Sequence, residues 1–519
     1  MTQFRQAHKQ NRYICSAAVV DAEVDEASYV WQGADQFTEL DDRRDAQPLA
    51  LPVVSAPLRV VLVRHGQSTW NASGRIQGSS DFAVLTPKGE AQADTTRQML
   101  LDDRFGRLFH SPLLRAARTA EIVWGSRAGQ VSVLHCLREI DLYSFQGLVK
   151  SEGKARYGEQ YRMWQQRAAE FEIDGQAPVR ELWFRASLAW REILGVTDEA
   201  AASGEPGAAC SLVVAHNAVN QALICVALGL PPTFFRRLVQ SNGATSVLDF
   251  MPPRGGGGGA PTLVVDRLNQ SPGPPFGSGG GGRVGPGRIV LVRTGATEAT
   301  AEGLLSGVTE APLSSLGVEQ ARQAGQLLTD LQVDMLLSSP QRRAVATADE
   351  VAAAQAAAGR PAPAVAVHAA LRNRDWGPLE GTPAAQALDA DAAAERLPDF
   401  WQRTGEAWEA AAAAAHKPGG RTVAVVAHSA VISAMLCRCL GLGAERLSLF
   451  RSAPGGVTVI EFPDMMAAAG AAGADAPEAA ALSAGVVRCA NYTAHLGRWA
   501  VPITGTDADY AVCGIDGCF

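Results

Sequence analysis

RVVLVRHGQST (59–69) and RIVLVRTGATE (288–298) are one segment written twice. Each is a β-branched apolar run that stops at Arg-x-Gly, so a buried strand delivers the motif to its carboxyl end. The repetition continues in order. VLTPKGEAQA (84–93) matches PLSSLGVEQA (312–321), and SPLLRAARTAE (111–121) matches SPQRRAVATAD (339–349). LWFRASLAW (182–190) matches FWQRTGEAW (400–408), and SLVVAHNAV (211–219) matches VAVVAHSAV (423–431). Strands alternate with helical segments in both halves. The expected fold is therefore α/β: a three-layer α/β/α sandwich with a mostly parallel central sheet, present as two tandem copies. Ligands of such sheets bind beyond the carboxyl ends of the strands, where both histidine motifs fall.

Composition sets the frame. At 519 residues, each half is long enough to bury a core, and 47% hydrophobic with 19% charged residues describes a folded chain. A net charge of −7 without a Lys/Arg run argues against nucleic acid or an anionic membrane as partner. The apolar stretches 212–230 and 423–440 contain His216, Asn217, Asn220, Gln221, His428 and Arg438, too polar to span a bilayer. The nine cysteines show no zinc-site spacing and read as reduced, mostly buried thiols, with Cys513 and Cys518 a candidate redox pair.

The punctuation gives the domains. Residues 1–57 read as a transit peptide and disordered leader, or as an ordinary disordered terminus: Arg5, Lys9 and Arg12 precede the first acid at Asp21. The first domain then runs over 58–270, a Gly/Pro/Ser linker over 271–287, the second domain over 288–503 and a tail over 504–519. The Gly run 255–259 lacks the Lys of a phosphate-binding loop and reads as a loop in an insertion. Thr86 is placed to cap a helix that begins at Pro87. Trp183 and Trp190, seven apart, fall on one helix face and read as core.

Five elements of the first copy occur in an order that carries chemistry: Arg64-His65-Gly66, Asn71, Arg115, Glu139 and His216. VRHGQSTWN, SPLLRAARTA, LREID and VVAHN together resemble the histidine phosphatase superfamily, which includes the phosphoglycerate mutases. The resemblance implies that His65 attacks phosphorus and forms a phosphohistidine, for which a neutral imidazole suits pH 7. It implies that Arg64, Arg115 and His216 hold the phosphoryl oxygens, with Asn71 and Gly78 (in GRIQGSSDF) in the substrate-binding set. It implies that Glu139 protonates the leaving oxygen and then takes a proton from water. No metal or other cofactor is expected, and no metal-ligand spacing is visible.

In the second copy Thr294 replaces the nucleophile, Asn373 stands at the Glu139 position and Thr300 at that of Asn71. Arg293, Arg343 and His428 remain, so a residual anion pocket without a catalyst is expected there. IDLYSFQG after Glu139 resembles the phosphatase members of the family and not its mutases. The active copy, the degenerate copy and the tail segment NYTAHLGRWAVPIT together resemble a plastid branch that acts on a phosphorylated sugar acid. That resemblance implies a small phosphorylated sugar-acid substrate, an indirect link to Rubisco and a place in the chloroplast stroma. Lys150, Lys154 or Arg180 are candidates to meet the acid's carboxylate. A phosphoglycerate mutase, a broad sugar-phosphate phosphatase and a phosphometabolite-sensing protein stay open as alternatives.

Overall fold

Both Arg-x-Gly segments form fully or almost fully buried strands, as their apolar runs require. The computed structural model describes residues 47–253, 259–271, 273–276, 287–383, 394–417, 419–462 and 485–497. Most of the leader, most of the linker, the tail, and Cys15, Cys513 and Cys518 lie outside the described residues. Two units emerge. One comprises the described residues of Met1–Arg236 and Gln240–Leu263, the other those of Arg237–Val239 and Val264–Phe519.

In the first unit the strands are β1 (Leu58–Arg64), β2 (Arg107–His110), β3 (Gln130–Val133), β4 (Cys210–Ala215) and β5 (Thr245–Met251). They lie in the order β3-β2-β4-β1-β5. All neighbours are parallel except β5, which runs antiparallel to β1. The chain steps one way across the sheet from β1 to β2 to β3 and then reverses to β4. Right-handed crossovers therefore put helices Pro87–Met99 and Leu114–Trp124 on one face and helix Pro178–Ala201 on the other, which makes three layers. Thr86 caps helix Pro87–Met99 by accepting from Gly89 N at 3.1 Å. Trp183 and Trp190 are buried, and their indole N–H groups donate to the Leu230 and Leu223 carbonyls.

The second unit repeats the plan. Its strands are β6 (Thr262–Gln270), β7 (Gly287–Arg293), β8 (Met335–Ser338), β9 (Val365–Val367), β10 (Thr422–Ala427), β11 (Val457–Phe462) and β12 (Val486–Tyr492). The order β9-β8-β10-β7-β11 reproduces that of the first unit, with β11 antiparallel to β7. A buried ion pair recurs in both: Arg59 of β1 with Asp249 of β5, and Arg288 of β7 with Glu461 of β11. Val264–Gln270, assigned to the first domain by sequence, groups with the second unit. Within that unit Leu268 faces Ala490 of β12, and the Asn269 and Gln270 amides donate to the Arg488 and Asn491 carbonyls.

None of the six described cysteines is in a disulfide, and five of them are buried. Among the described residues no helix is long and apolar enough to cross a membrane.

Candidate active site

His65 follows the last residue of β1 and is fixed by its own backbone. Its N–H donates to the Ala215 carbonyl (3.0 Å) at the end of β4, and its carbonyl accepts from Asn242 Nδ2 (3.0 Å). Gly66 N donates to Thr119 Oγ1 (3.2 Å). Glycine is required at 66: a Cβ would stand 2.1 Å from the Gly89 carbonyl oxygen, where the next helix begins. His65 Nδ1 lies 2.6 Å from the Gly66 oxygen. A carbonyl can only accept, so Nδ1 carries the proton and Nε2 keeps its lone pair. Burial pushes the imidazole well below its ordinary range, and Arg115 and then Arg64 push it the same way. His65 is therefore neutral at pH 7.

β4 runs parallel to β1 in register, with Ala215 opposite Arg64, and so sets His216 beside His65. The two ring centroids are 5.0 Å apart. His216 Nε2 is 2.7 Å from Ser111 Oγ, at the end of β2, while its buried Nδ1 has no hydrogen-bond partner. Burial, then Arg115, hold this ring neutral too.

Arg64, the last residue of β1, donates from Nη1 to the Gln240 carbonyl (2.6 Å), and its buried Nε is unpartnered. Arg115, in the first turn of helix Leu114–Trp124, is fully buried and donates to the Ser80 (2.6 Å) and Gly78 (2.9 Å) carbonyls. Gly78 thus anchors Arg115. It has φ 51°, and a Cβ there would meet Gln146 Oε1 at 2.2 Å. Burial pushes both guanidinium groups down to about 10, opposed by the Glu139 carboxylate. Glu139 sits on the N-terminus of helix Asn217–Leu228: Oε1 accepts from Ala218 N (3.0 Å) and Val219 N (3.2 Å). Asn71 Oδ1 accepts from Ser68 N and lies 3.4 Å from Asn242 Nδ2, the amide that holds the His65 carbonyl.

His65, His216, Arg64, Arg115 and Glu139 therefore form one buried cluster, with Asn71 and Gly78 on its supports. Sequence reasoning missed four supports: Ser111, Gln240, Asn242 and Arg185. Arg185 Nη2 donates to the Glu139 carbonyl at 2.9 Å from within the tryptophan-striped helix. A signal existed, because Ser111 and Arg185 are identical to Ser339 and Arg403 in the repeat alignment. The proposed carboxylate partners stand apart from the cluster in one respect: Lys150 and Lys154 are exposed, and Arg180 is paired with Glu172 at 2.5 Å. In the second unit Arg293, Arg343 and His428 take the positions of Arg64, Arg115 and His216 at the ends of β7, the helix after β8, and β10.

A neutral histidine, two guanidinium groups and a second imidazole at the carboxyl edge of such a sheet make a candidate phosphoryl-transfer site. The chain belongs to the histidine phosphatase superfamily, branch 1, whose profile matches residues 60–256 and again 289–469. It is 44% identical over 479 residues to the 2-carboxy-D-arabinitol-1-phosphatase of Triticum aestivum, covering 89% of this chain and 91% of that one. It is 42% identical over 463 residues to a "probable 2-carboxy-D-arabinitol-1-phosphatase" of Arabidopsis thaliana, covering 87% and 90%. A "probable phosphoglycerate mutase" of Erwinia tasmaniensis is 31% identical over 192 residues, 37% of this chain and 85% of that protein.

Proposed function

We propose that the first unit hydrolyses 2-carboxy-D-arabinitol 1-phosphate to 2-carboxy-D-arabinitol and phosphate through a phosphohistidine on His65. The observation behind the mechanism is a buried, tautomer-fixed His65 beside two buried nitrogens without partners, Arg64 Nε and His216 Nδ1, the latter a donor when Ser111 Oγ–H donates to His216 Nε2. Unpaired buried donors favour an anion that can accept from them. The substrate rests on the two plant relatives, which match over most of the chain.

In the first step His65 Nε2 attacks phosphorus and the ester P–O bond breaks. The leaving oxygen takes a proton from Glu139. In the second step Glu139 takes a proton from water, whose oxygen attacks phosphorus and releases His65. Arg64, Arg115 and His216 hold the non-bridging oxygens, whose charge persists throughout, so fixed donors stabilise both transition states. Asn71 and Gly78 serve the phosphoryl pocket through the loop contacts given above. We further place the reaction in the chloroplast stroma, where it would remove an inhibitor of Rubisco. The acid-free first 20 residues, with Arg5, Lys9 and Arg12, support that location.

The decisive experiment is phosphate release by residues 58–519 from a panel. It holds 2-carboxyarabinitol 1-phosphate, its ribitol stereoisomer, phosphoglycerates and sugar bisphosphates. We expect the first compound to lead in kcat/KM by about 100-fold, the discrimination that several polar contacts supply. A flat profile would remove the substrate assignment, and isomerisation of phosphoglycerate without net phosphate release would favour a mutase.

Arg185 is a positioning residue in this scheme, because it touches Glu139 and not the phosphoryl group. Arg185→Ala should lower kcat for alkyl phosphates about 10- to 100-fold, with KM little changed. With p-nitrophenyl phosphate, whose leaving group departs as its anion, the first step, read as the burst of nitrophenolate, should be much less affected. Loss of the burst as well as of turnover would reduce Arg185 to a folding role.

A further inference from the structure

The second unit keeps the frame of the first site contact by contact. Thr294 N donates to the Ala427 carbonyl at 3.0 Å, as His65 N does to Ala215. Gly295 N donates to Thr347 Oγ1 at 3.2 Å, as Gly66 N does to Thr119. His428 Nε2 is 2.8 Å from Ser339 Oγ, as His216 is from Ser111. Arg343 Nη2 donates to the Gly307 carbonyl at 2.7 Å, as Arg115 does to Gly78. Arg403 Nη2 donates to the Asn373 carbonyl at 3.1 Å, as Arg185 does to Glu139.

What differs is charge. In the first site the Glu139 carboxylate acts on both Arg64 and Arg115. Its counterpart Asn373 is buried and neutral. The Asn373 amide N–H donates to the Ser306 carbonyl (2.9 Å), and its Oδ1 has no partner. Burial pushes Arg293 down to about 10, and the nearby charge, Arg343, is another cation. Arg343 still feels Glu310 and Glu380. Arg403 is already met by Glu395, at 2.7 Å. His428 is held neutral by burial and then by Arg343, Arg293 and Arg403. Both positions that make and break bonds in the proposed mechanism are lost, together with Asn71, while the two arginines and the histidine that grip oxygen are retained.

Buried cations without a carboxylate between them are costly unless an anion joins them. We propose that Arg293, Arg343 and His428 form a second, non-catalytic site that binds a phosphoryl group, as free orthophosphate or as the end of a phosphomonoester, and does not turn it over. No bond is made there, since Thr294 stands where the nucleophile would be. The site is assigned from the second unit alone and does not depend on the substrate of the first.

Equilibrium binding of labelled orthophosphate to the full chain tests this. We expect two phosphates per chain, falling to one in Arg343→Ala and to one in Arg115→Ala, each removing a different site. Asn373→Asp guards against misfolding, because it is isosteric. A carboxylate there would offset part of the charge of the Arg293–Arg343 pair, weakening the second phosphate by about 10-fold or more. One phosphate per chain in the parent protein, with none in Arg115→Ala, would overturn the proposal. So would two phosphates of unchanged affinity in both Asn373→Asp and Arg343→Ala. In His65→Ala protein, which cannot consume an ester, displacement of orthophosphate by 2-carboxyarabinitol 1-phosphate distinguishes the sources. Displacement from the second site below the concentration of orthophosphate needed names an ester, displacement only above it names free phosphate, and either supports the site.

Discussion

Replacement of His65 by alanine is expected to lower phosphate release by about 10⁴-fold or more, because the covalent route has no other entry. The second imidazole does not substitute. His216 Nε2 is engaged with Ser111, and its ring serves as a donor to the phosphoryl group in the mechanism we propose. Acid-labile, base-stable label from a phosphorylated substrate should appear on the parent protein and vanish in the variant. The pH dependence has a definite sign. Attack needs neutral His65, and burial with Arg115 and Arg64 lowers its proton affinity. The acid limb of kcat/KM that belongs to His65 should therefore fall below the ordinary imidazole value of about 6.5, so activity should survive as pH drops through that value. Full activity in His65→Ala, or label that persists in it, would remove the phosphohistidine from the mechanism.

Most of this frame was legible because its signals are local. A β-branched run ending in Arg-His-Gly reports a buried strand and what it delivers, and the parallel pairing of β1 with β4 then sets His216 beside His65. The second copy helped, since an order of motifs seen twice in one chain fixes the topology twice. The supports were harder to read because they act across the fold through backbone atoms. Arg185 reaches the Glu139 carbonyl over 46 positions, and any long donor from that helix would suit a carbonyl equally in sequence terms. Asn242 holds the His65 carbonyl over 177 positions. The strand after the Gly run carries no such local signal: Val264–Gln270 mixes three apolar with four polar residues, and its contact with β12 is made over more than two hundred positions.

Glu139→Gln should have the second largest effect, and of an unusual kind. The change keeps size and leaves an oxygen for the helix N–H groups of Ala218 and Val219. It removes a proton carrier and, at the same time, the negative charge that acts on Arg64 and Arg115. For alkyl phosphates kcat should fall about 10²- to 10⁴-fold, the usual contribution of a positioned acid and base. Binding should move the other way, because two buried guanidinium groups would then meet the phosphoryl group without a competing carboxylate; product phosphate should inhibit more strongly. p-Nitrophenyl phosphate needs no proton on its leaving oxygen, so its first step should remain fast while water attack slows for lack of a base. Rapid-quench kinetics should show a burst of one nitrophenolate per chain and then slow turnover. A uniform loss on both substrates without a burst would leave Glu139 as a structural cap on helix Asn217–Leu228. The variant would also carry into the first site the neutral amide that Asn373 supplies in the second. Tighter phosphate binding is therefore what one uncharged side chain at this position should produce in either copy.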